Sequence, residues 1–220
     1  MCKIVNYIVK LRFVNLYFFD LIEAILHLTT TDNIFKTIVD THGLPQIPWR
    51  AEGFETLTLL ILEQQVSVDS AKATFDKLKL MLPQYNPEII LNTDDADFRA
   101  CGVSRQKTKY IKCLAEAVLE KTLDLDSLSQ KTDADIRAEL IKIKGIGNWT
   151  IDVYLMFSLA SPDILPLGDI AIINTIKELL DIHDRADMEI YTQKWAPHRS
   201  MATFLLWHHY LKKRKRRIVY

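Results

Sequence analysis

Two glycines separated by one residue, Gly145-Ile146-Gly147, join two helix-forming stretches in LIKIKGIGNWTIDVYLMF. A helix that starts after such a turn leaves bare backbone N–H groups at the positive end of its dipole, and bare amides there bind phosphate. Ile146 is placed to plug into the core and fix the turn. Downstream, Asp169 opens the helical stretch IAIINTIKELL, with Asp152 and Asp163 as the nearest rival carboxylates, read as an ordinary helix residue and a loop or cap residue. Upstream, Gln64 and Gln65 interrupt the apolar stretch GFETLTLLILEQQV, and two adjacent amides are hard to bury without partners, which favours a surface role. Taken one at a time these features are commonplace. A lone GxG reads as a helix stop followed by a flexible turn, and an aspartate at a helix start reads as a cap.

The elements that must position these residues are helical. Glycine and proline are scarce, and the long runs of Leu, Ile, Ala, Lys and Glu lack the closely spaced turn signals of strands, which predicts an all-α fold of roughly ten helices. Thr31 or Asp32 caps a helix that runs to Gly43, residues 53–66 form a buried helix, and Ser67 caps one that stops at Pro83. A short helix around 98–101 ends at Gly102. Ser104 starts the next, with Ile111, Leu114, Ala115, Val118 and Leu119 on its core face. Thr132 or Asp133 caps a helix ending at Ile143, a second helix of the hairpin runs from Asn148 to Ala160, and Pro197 opens the last helix.

The chain is electrically neutral, with 28 Lys/Arg against 28 Asp/Glu, but unevenly so. Residues 139–220 hold 12 basic against 9 acidic residues, and Lys194, Arg199 and the run Lys212 to Arg217 close a last stretch of thirty residues without one acid. That run is either a phosphate-facing surface or a solvated tail. Cys2, Cys101 and Cys113 show no pairing or ligand spacing, so neither a disulfide framework nor a zinc or iron-sulfur site is expected, and a reducing compartment fits. Lys10 and Arg12 break the one membrane-like stretch, near the start.

Four blocks in order, ILEQQVSVDSA, CGVSRQKTKYIKCLA, KIKGIGNWTIDVYLMFSLASPDILPLGDIAI and WAPHRSMATFLLW, resemble the helix-hairpin-helix DNA glycosylase superfamily, and within it the DNA-3-methyladenine glycosylase II branch. The resemblance spans residues 20 to 210 and implies two helical subdomains with the active-site cleft between them. The expected organisation is an N-terminal extension of unknown role at 1–18, a glycosylase domain at 19–211 with its hairpin at about 136–159, and a basic tail at 212–220. The implied activity is repair of alkylated purines (3-methyladenine or 7-methylguanine): the base is flipped from duplex DNA and its N-glycosidic bond hydrolysed, which initiates base excision repair.

The resemblance also implies roles. Asp169 sits where the family has its catalytic aspartate, and a fixed carboxylate beside the sugar carbon stabilises an oxocarbenium-like transition state. Trp149, Tyr154 and Trp207 match or neighbour base-pocket positions, where an aromatic face gains roughly 0.5–2 kcal/mol from a cationic base; they serve equally as core aromatics. Gln64 and Gln65 match the family's wedge, whose second residue enters the duplex and fills the gap of a flipped base, and Gly145, Ile146, Gly147, Thr150, Arg199 and Ser200 complete the expected DNA contacts. Bifunctional relatives carry a lysine where this chain has Trp149, which implies a plain hydrolase without lyase activity. No organic cofactor is expected; a structural Na+ or K+ is implied at the hairpin, on the carbonyls of Ile141, Ile143 and Ile146. The implied partner is duplex DNA with a damaged base, met by a monomer that does not enter a membrane, in the cytoplasm or nucleoid of a bacterium or the nucleus of a eukaryote. His208 and His209 are expected to pack or to touch phosphate. Two alternatives stay open: the same fold acting on mismatched or deaminated bases, and a non-catalytic hairpin module that only binds DNA.

Overall fold

Seven polar side chains decide where helices begin: Asp32, Ser67, Asn86, Ser104, Thr132, Asp169 and Asp184 each accept a hydrogen bond from a first-turn backbone N–H. A computed structural model describes residues 16–215; the sequence-expected extension up to residue 15, and Arg216 and Arg217 of the basic run, lie outside the described residues. Within them every regular element is helical: α1 Leu16–Thr31, α2 Asn33–His42, α3 Phe54–Glu63, α4 Val68–Met81, α5 Pro87–Asn92, α6 Asp95–Ala100, α7 Arg105–Leu119, α8 Asp133–Leu140, α9 Asn148–Phe157, α10 Ile170–Leu180, α11 Arg185–Tyr191 and α12 Arg199–Lys213, with 3-10 turns at Leu128–Gln130 and Thr192–Trp195. No described helix is long and apolar enough to cross a membrane.

The chain divides into two compact units. The unit from 48 to 161 holds α3 to α9 and is organised by α3, which packs on α4, α7 and α9. Leu57, Leu60 and Ile61 of α3 are fully buried, each contributing roughly 1.5–3 kcal/mol. Helix α3 is shorter than its apolar pattern: it stops at Glu63, and Gln65 takes a left-handed φ of 60°. Along α7, Ile111, Leu114 and Ala115 are buried as the pattern requires, but Leu119 is exposed. The amides of Thr122 and Leu123 both donate to the Ala117 carbonyl, so the chain turns back and Leu123 fills the space instead.

The hairpin of α8 and α9 is joined by more than the tripeptide. After Leu140 the bonds tighten, with Lys142 N–H donating to the Glu139 carbonyl, Ile143 to Leu140 and Ile146 to Ile143, so α-geometry is lost before the first glycine. Gly145 has φ 95°, and a Cβ built there would lie 2.1 Å from Cγ of Tyr110 on α7. Glycine is required on both counts. Ile146 is buried, as expected of a plug. Gly147 differs: its φ of −108° is ordinary, and an added Cβ would meet no atom within 4 Å.

The other unit joins residues 16–47 to 162–215. Helix α12 packs on α1, α2 and α10 around Leu28, Phe35, Ile38, Ile172, Ile176 and Leu205. Its polar knot is Asp32. One carboxylate oxygen caps α2 through the Ile34 amide at 3.3 Å, and the other accepts the indole N–H of the enclosed Trp195 at 3.0 Å and pairs with Lys194 at 3.0 Å. Burial alone would raise this carboxyl, but Trp195, Lys194 and the Ile34 amide outweigh it and hold it below the ordinary 3.8.

Two outcomes follow from these contacts. Gly145→Ala destabilises the chain by at least about 2 kcal/mol in urea unfolding, from the left-handed strain plus the collision with Tyr110. Combined with Tyr110→Ala, the loss is smaller than the sum of the single losses; simple additivity would show that the close approach is absent. Asp32→Ala costs about 3 kcal/mol, adding a lost cap of about 1 kcal/mol to an indole N–H left without its acceptor. Because the folded-state carboxyl is depressed, the stability it contributes is complete above pH 4 and lost as pH falls through the folded value. The gap between the parent and Asp32→Asn therefore narrows below pH 4; a gap that is flat with pH would disprove the depressed carboxyl.

Candidate functional site

The C-terminal end of α3 is held by three side chains. Glu63, buried with its side chain 5% exposed, takes a bidentate bridge from Arg50 at 2.8 and 3.0 Å, while the Arg50 amide donates to the Phe157 carbonyl and its guanidinium lies over the Phe157 ring. Lys107 of α7 donates to the Leu62 carbonyl at 2.7 Å, and its partial burial lowers the ammonium pKa. The Gln64 amide then reaches the hairpin, donating to the Gly145 carbonyl at 2.8 Å and to the Thr150 hydroxyl at 3.0 Å. Gln65, next in the chain, is exposed. The two adjacent glutamines thus face different ways.

Gly147 caps α9 with no side-chain acceptor, so the cap itself covers none of the first-turn amides of the helix. Arg137 of α8 reaches across to the Asp152 carboxylate and, at 3.2 Å, to the Asn148 side chain, which fixes α9 against α8. Burial raises the Asp152 carboxyl despite Arg137. Trp149 is half-buried. Thr150 and Ile146 are buried, so whatever they offer a ligand is backbone. The sequence expectation for Tyr154 needs correction: it has no exposed surface and accepts the Gly53 N–H at 2.9 Å at the start of α3. Burial pushes its hydroxyl up to about 12, and it acts as a core residue and helix cap.

In the other unit, Asp169 caps α10, its Oδ1 accepting the amides of Ala171 at 2.7 Å and Ile172 at 3.2 Å. It is half-buried between the exposed Gly168 and Ile170. Cap and candidate catalyst are therefore one group in one orientation. Asp163 is tied down: Arg199 grips both of its oxygens at 2.7 Å and donates its amide at 3.2 Å, which holds that carboxyl below its ordinary value. Arg199, expected at DNA, is committed to this pair. Ser200 is a second correction, since it is buried and its hydroxyl accepts the Ile164 N–H at 2.9 Å, an internal brace of the 162–164 loop. Trp207 on α12 is half-buried, its ring 6.2 Å from that of Phe204.

His208 is buried, its Nε2 3.2 Å from the His42 carbonyl, and burial lowers its pKa; His209 sits 3.0 Å from Glu178. Both are packing residues, and no cluster of His, Cys, Asp or Glu among the described residues could hold a metal. Sequence reasoning missed Arg50, Lys107 and Arg137. Each acts on partners at least 11 residues away, and only Glu63, set beside Leu60, Ile61 and Leu62, could have pointed to one of them.

Comparison with known proteins covers most of these elements. The family described as HhH-GPD superfamily base excision DNA repair protein matches residues 59–198. DNA-3-methyladenine glycosylase 1 of Schizosaccharomyces pombe is 30% identical over 199 residues, which are 85% of this chain and 86% of that protein. A solved structure of 3-methyladenine DNA glycosylase from the same yeast, in complex with abasic DNA, aligns with a TM-score of 0.77 at 28% identity, covering 84% of this chain and 95% of that one. A Bacillus subtilis relative, 36% identical over 124 residues or 55% of this chain, is longer, and the match spans 43% of it. The matched segment runs from α3 through the α8–α9 hairpin and Asp169 to the residue before α12, and this chain belongs to the HhH-GPD superfamily of base excision DNA repair proteins.

Proposed function

We propose that this protein is a monofunctional DNA glycosylase that removes alkylated purines of the 3-methyladenine type from duplex DNA, with Asp169 as the catalytic carboxylate. The observation that carries the reading is Asp169 itself: a half-buried carboxylate, fixed by two backbone amides, inside the segment that matches the family. Its rivals are spent on other work, Asp152 on Arg137 and Asp163 on Arg199. The substrate class is that named for the yeast relatives.

The chemistry is a hydrolysis. The C1′–N bond breaks and its electron pair returns to the base, neutralising the positive charge of an N-alkylated purine. Positive charge develops on the sugar ring, where a preorganised carboxylate is worth more than in water. A water oxygen bonds to C1′ and its proton passes to solvent. The first-turn amides of α9, around Gly147, receive a phosphate, with Ile146 and Thr150 contributing backbone only. Gln65 is the wedge. Trp207 offers an aromatic face in the unit that holds Asp169, and Trp149 a second at the hairpin. A lysine at Trp149 would be needed for a covalent sugar intermediate, so the strand is left intact.

A monovalent cation fits the hairpin in one respect: the turn is closed by backbone bonds, and the Ile143 carbonyl, which accepts the Ile146 amide, keeps a second lone pair. Bound there with Ile141 and Ile146 carbonyls, Na+ or K+ would add positive charge beside the phosphate-binding amides.

Asp169→Asn slows base release at least about 100-fold while duplex affinity stays within a few-fold. Mass spectrometry of the bases released from methylated DNA reads the first quantity, and turnover at the parental rate removes Asp169 from its role. Borohydride traps no covalent adduct and the strand stays uncut; a trapped adduct overturns the monofunctional assignment. On duplexes with single lesions, 3-methyladenine and 7-methylguanine leave faster than uracil or thymine, because only the former depart as neutral bases from a cation. Faster uracil release would move the substrate to deaminated bases and leave Asp169 in place.

A further inference from the structure

The exposed Gln65 stands on a left-handed backbone, φ 60°, which strains a residue that has a Cβ. Something must hold it there. The helix that precedes it ends with weak closing bonds, Gln64 N–H to the Ile61 carbonyl and Val66 N–H to the Glu63 carbonyl, both 3.4 Å. The strong contacts are those of the Gln64 side chain, 2.8 Å to the Gly145 carbonyl and 3.0 Å to the Thr150 hydroxyl. Two such bonds offset the strain. Their acceptors sit on either side of Gly147, one in the hairpin turn and one in the first turn of α9.

We infer that Gln64 is a positioning residue that does not touch DNA: its amide joins the exposed Gln65 to the hairpin turn, so that the register of the wedge is set by the same backbone that receives the phosphate. The inference rests on the proposed DNA reading of the site. Gly145 packs closely against Tyr110, and the end of α3 is bonded by Arg50 and Lys107, so the strut joins two anchored segments. A strut of this kind transmits position only through Gln65. Once the Gln65 side chain is gone, cutting the strut has nothing further to disturb.

The test is epistasis in base displacement, read by stopped-flow fluorescence of 2-aminopurine stacked beside a tetrahydrofuran abasic site in duplex DNA, a signal that requires no base release. Gln64→Met keeps the volume and loses both donors. It slows the fluorescence rise about tenfold, Gln65→Ala does the same, and the double variant matches Gln65→Ala within about twofold. Thr150→Val, which removes one acceptor, gives a partial defect that Thr150→Ser restores, and it carries the test if Gln64→Met fails to fold by circular dichroism. Multiplying defects of about 100-fold in the double variant overturn the inference, because Gln64 then acts on DNA or on the fold by itself. So does a normal rate in Gln64→Met, or a normal rate in Gln65→Ala. Base release from methylated DNA, measured on the same proteins, separates the two levels: a parent that displaces the fluorophore but releases no base sinks the glycosylase reading and leaves the strut standing.

Discussion

Glu63 lies at the last turn of a helix whose neighbouring side chains are Leu60, Ile61 and Leu62, all buried. A carboxylate in that setting is expensive unless both of its oxygens are satisfied and its charge is balanced. Arg50 does both, with a planar fork matched to the carboxylate, and is itself held by its amide on Phe157 and by the ring beneath it. The pair fixes where α3 stops. Everything that follows in the chain, the turn of Gln64 towards the hairpin and the outward placement of Gln65, starts from that fixed point. A hydrophobic pair of equal volume could hold the helix as firmly, but it would not define one stopping residue as sharply, since apolar contacts have no direction.

Three aspartates of the family-matched segment show how environment divides one residue type among tasks. Asp152 is half-buried and its proton affinity is raised, so Arg137 is needed to keep it useful as a brace between α8 and α9. Asp163 is held low by a guanidinium on both of its oxygens and ties the 162–164 loop to the start of α12. Asp169 is held through its Oδ1 by two backbone amides, which fix an orientation without adding a formal positive charge. A carboxylate already oriented by amides is preorganised for positive charge that develops beside it.

The sequence announced helix starts far better than helix ends. Asp32, Ser67, Ser104 and Thr132 cap where their types predict, because the cap is a bond to an amide two or three residues away. Ends depend on distant partners: α3 stops at Glu63 because of Arg50 and Lys107, and Leu119 loses its place in the core to Leu123 after a turn with no strong signature. Helices α5 and α11 were missed although Asn86-Pro87 and Asp184 are legible cap signals; their short spans carry too little periodicity. At the site, the hairpin and Asp169 could be read from local pattern. The reach of Gln64 to the hairpin, and the burial of Tyr154 and Ser200, could not, since both are set by residues 36 to 101 positions away.

The two hairpin glycines look alike on paper and are bound to different masters. Gly145 answers to its own chain, through Tyr110 and a left-handed backbone, whereas Gly147 has an ordinary backbone and open surroundings, so nothing inside the fold demands it. In a cell the two positions therefore sort damage by kind. A side chain at 145 produces a polypeptide that quality control clears, a deficit of quantity. A side chain at 147 produces a full complement of folded molecules, and any deficit it causes is one of competence alone, invisible to an assay that only counts protein.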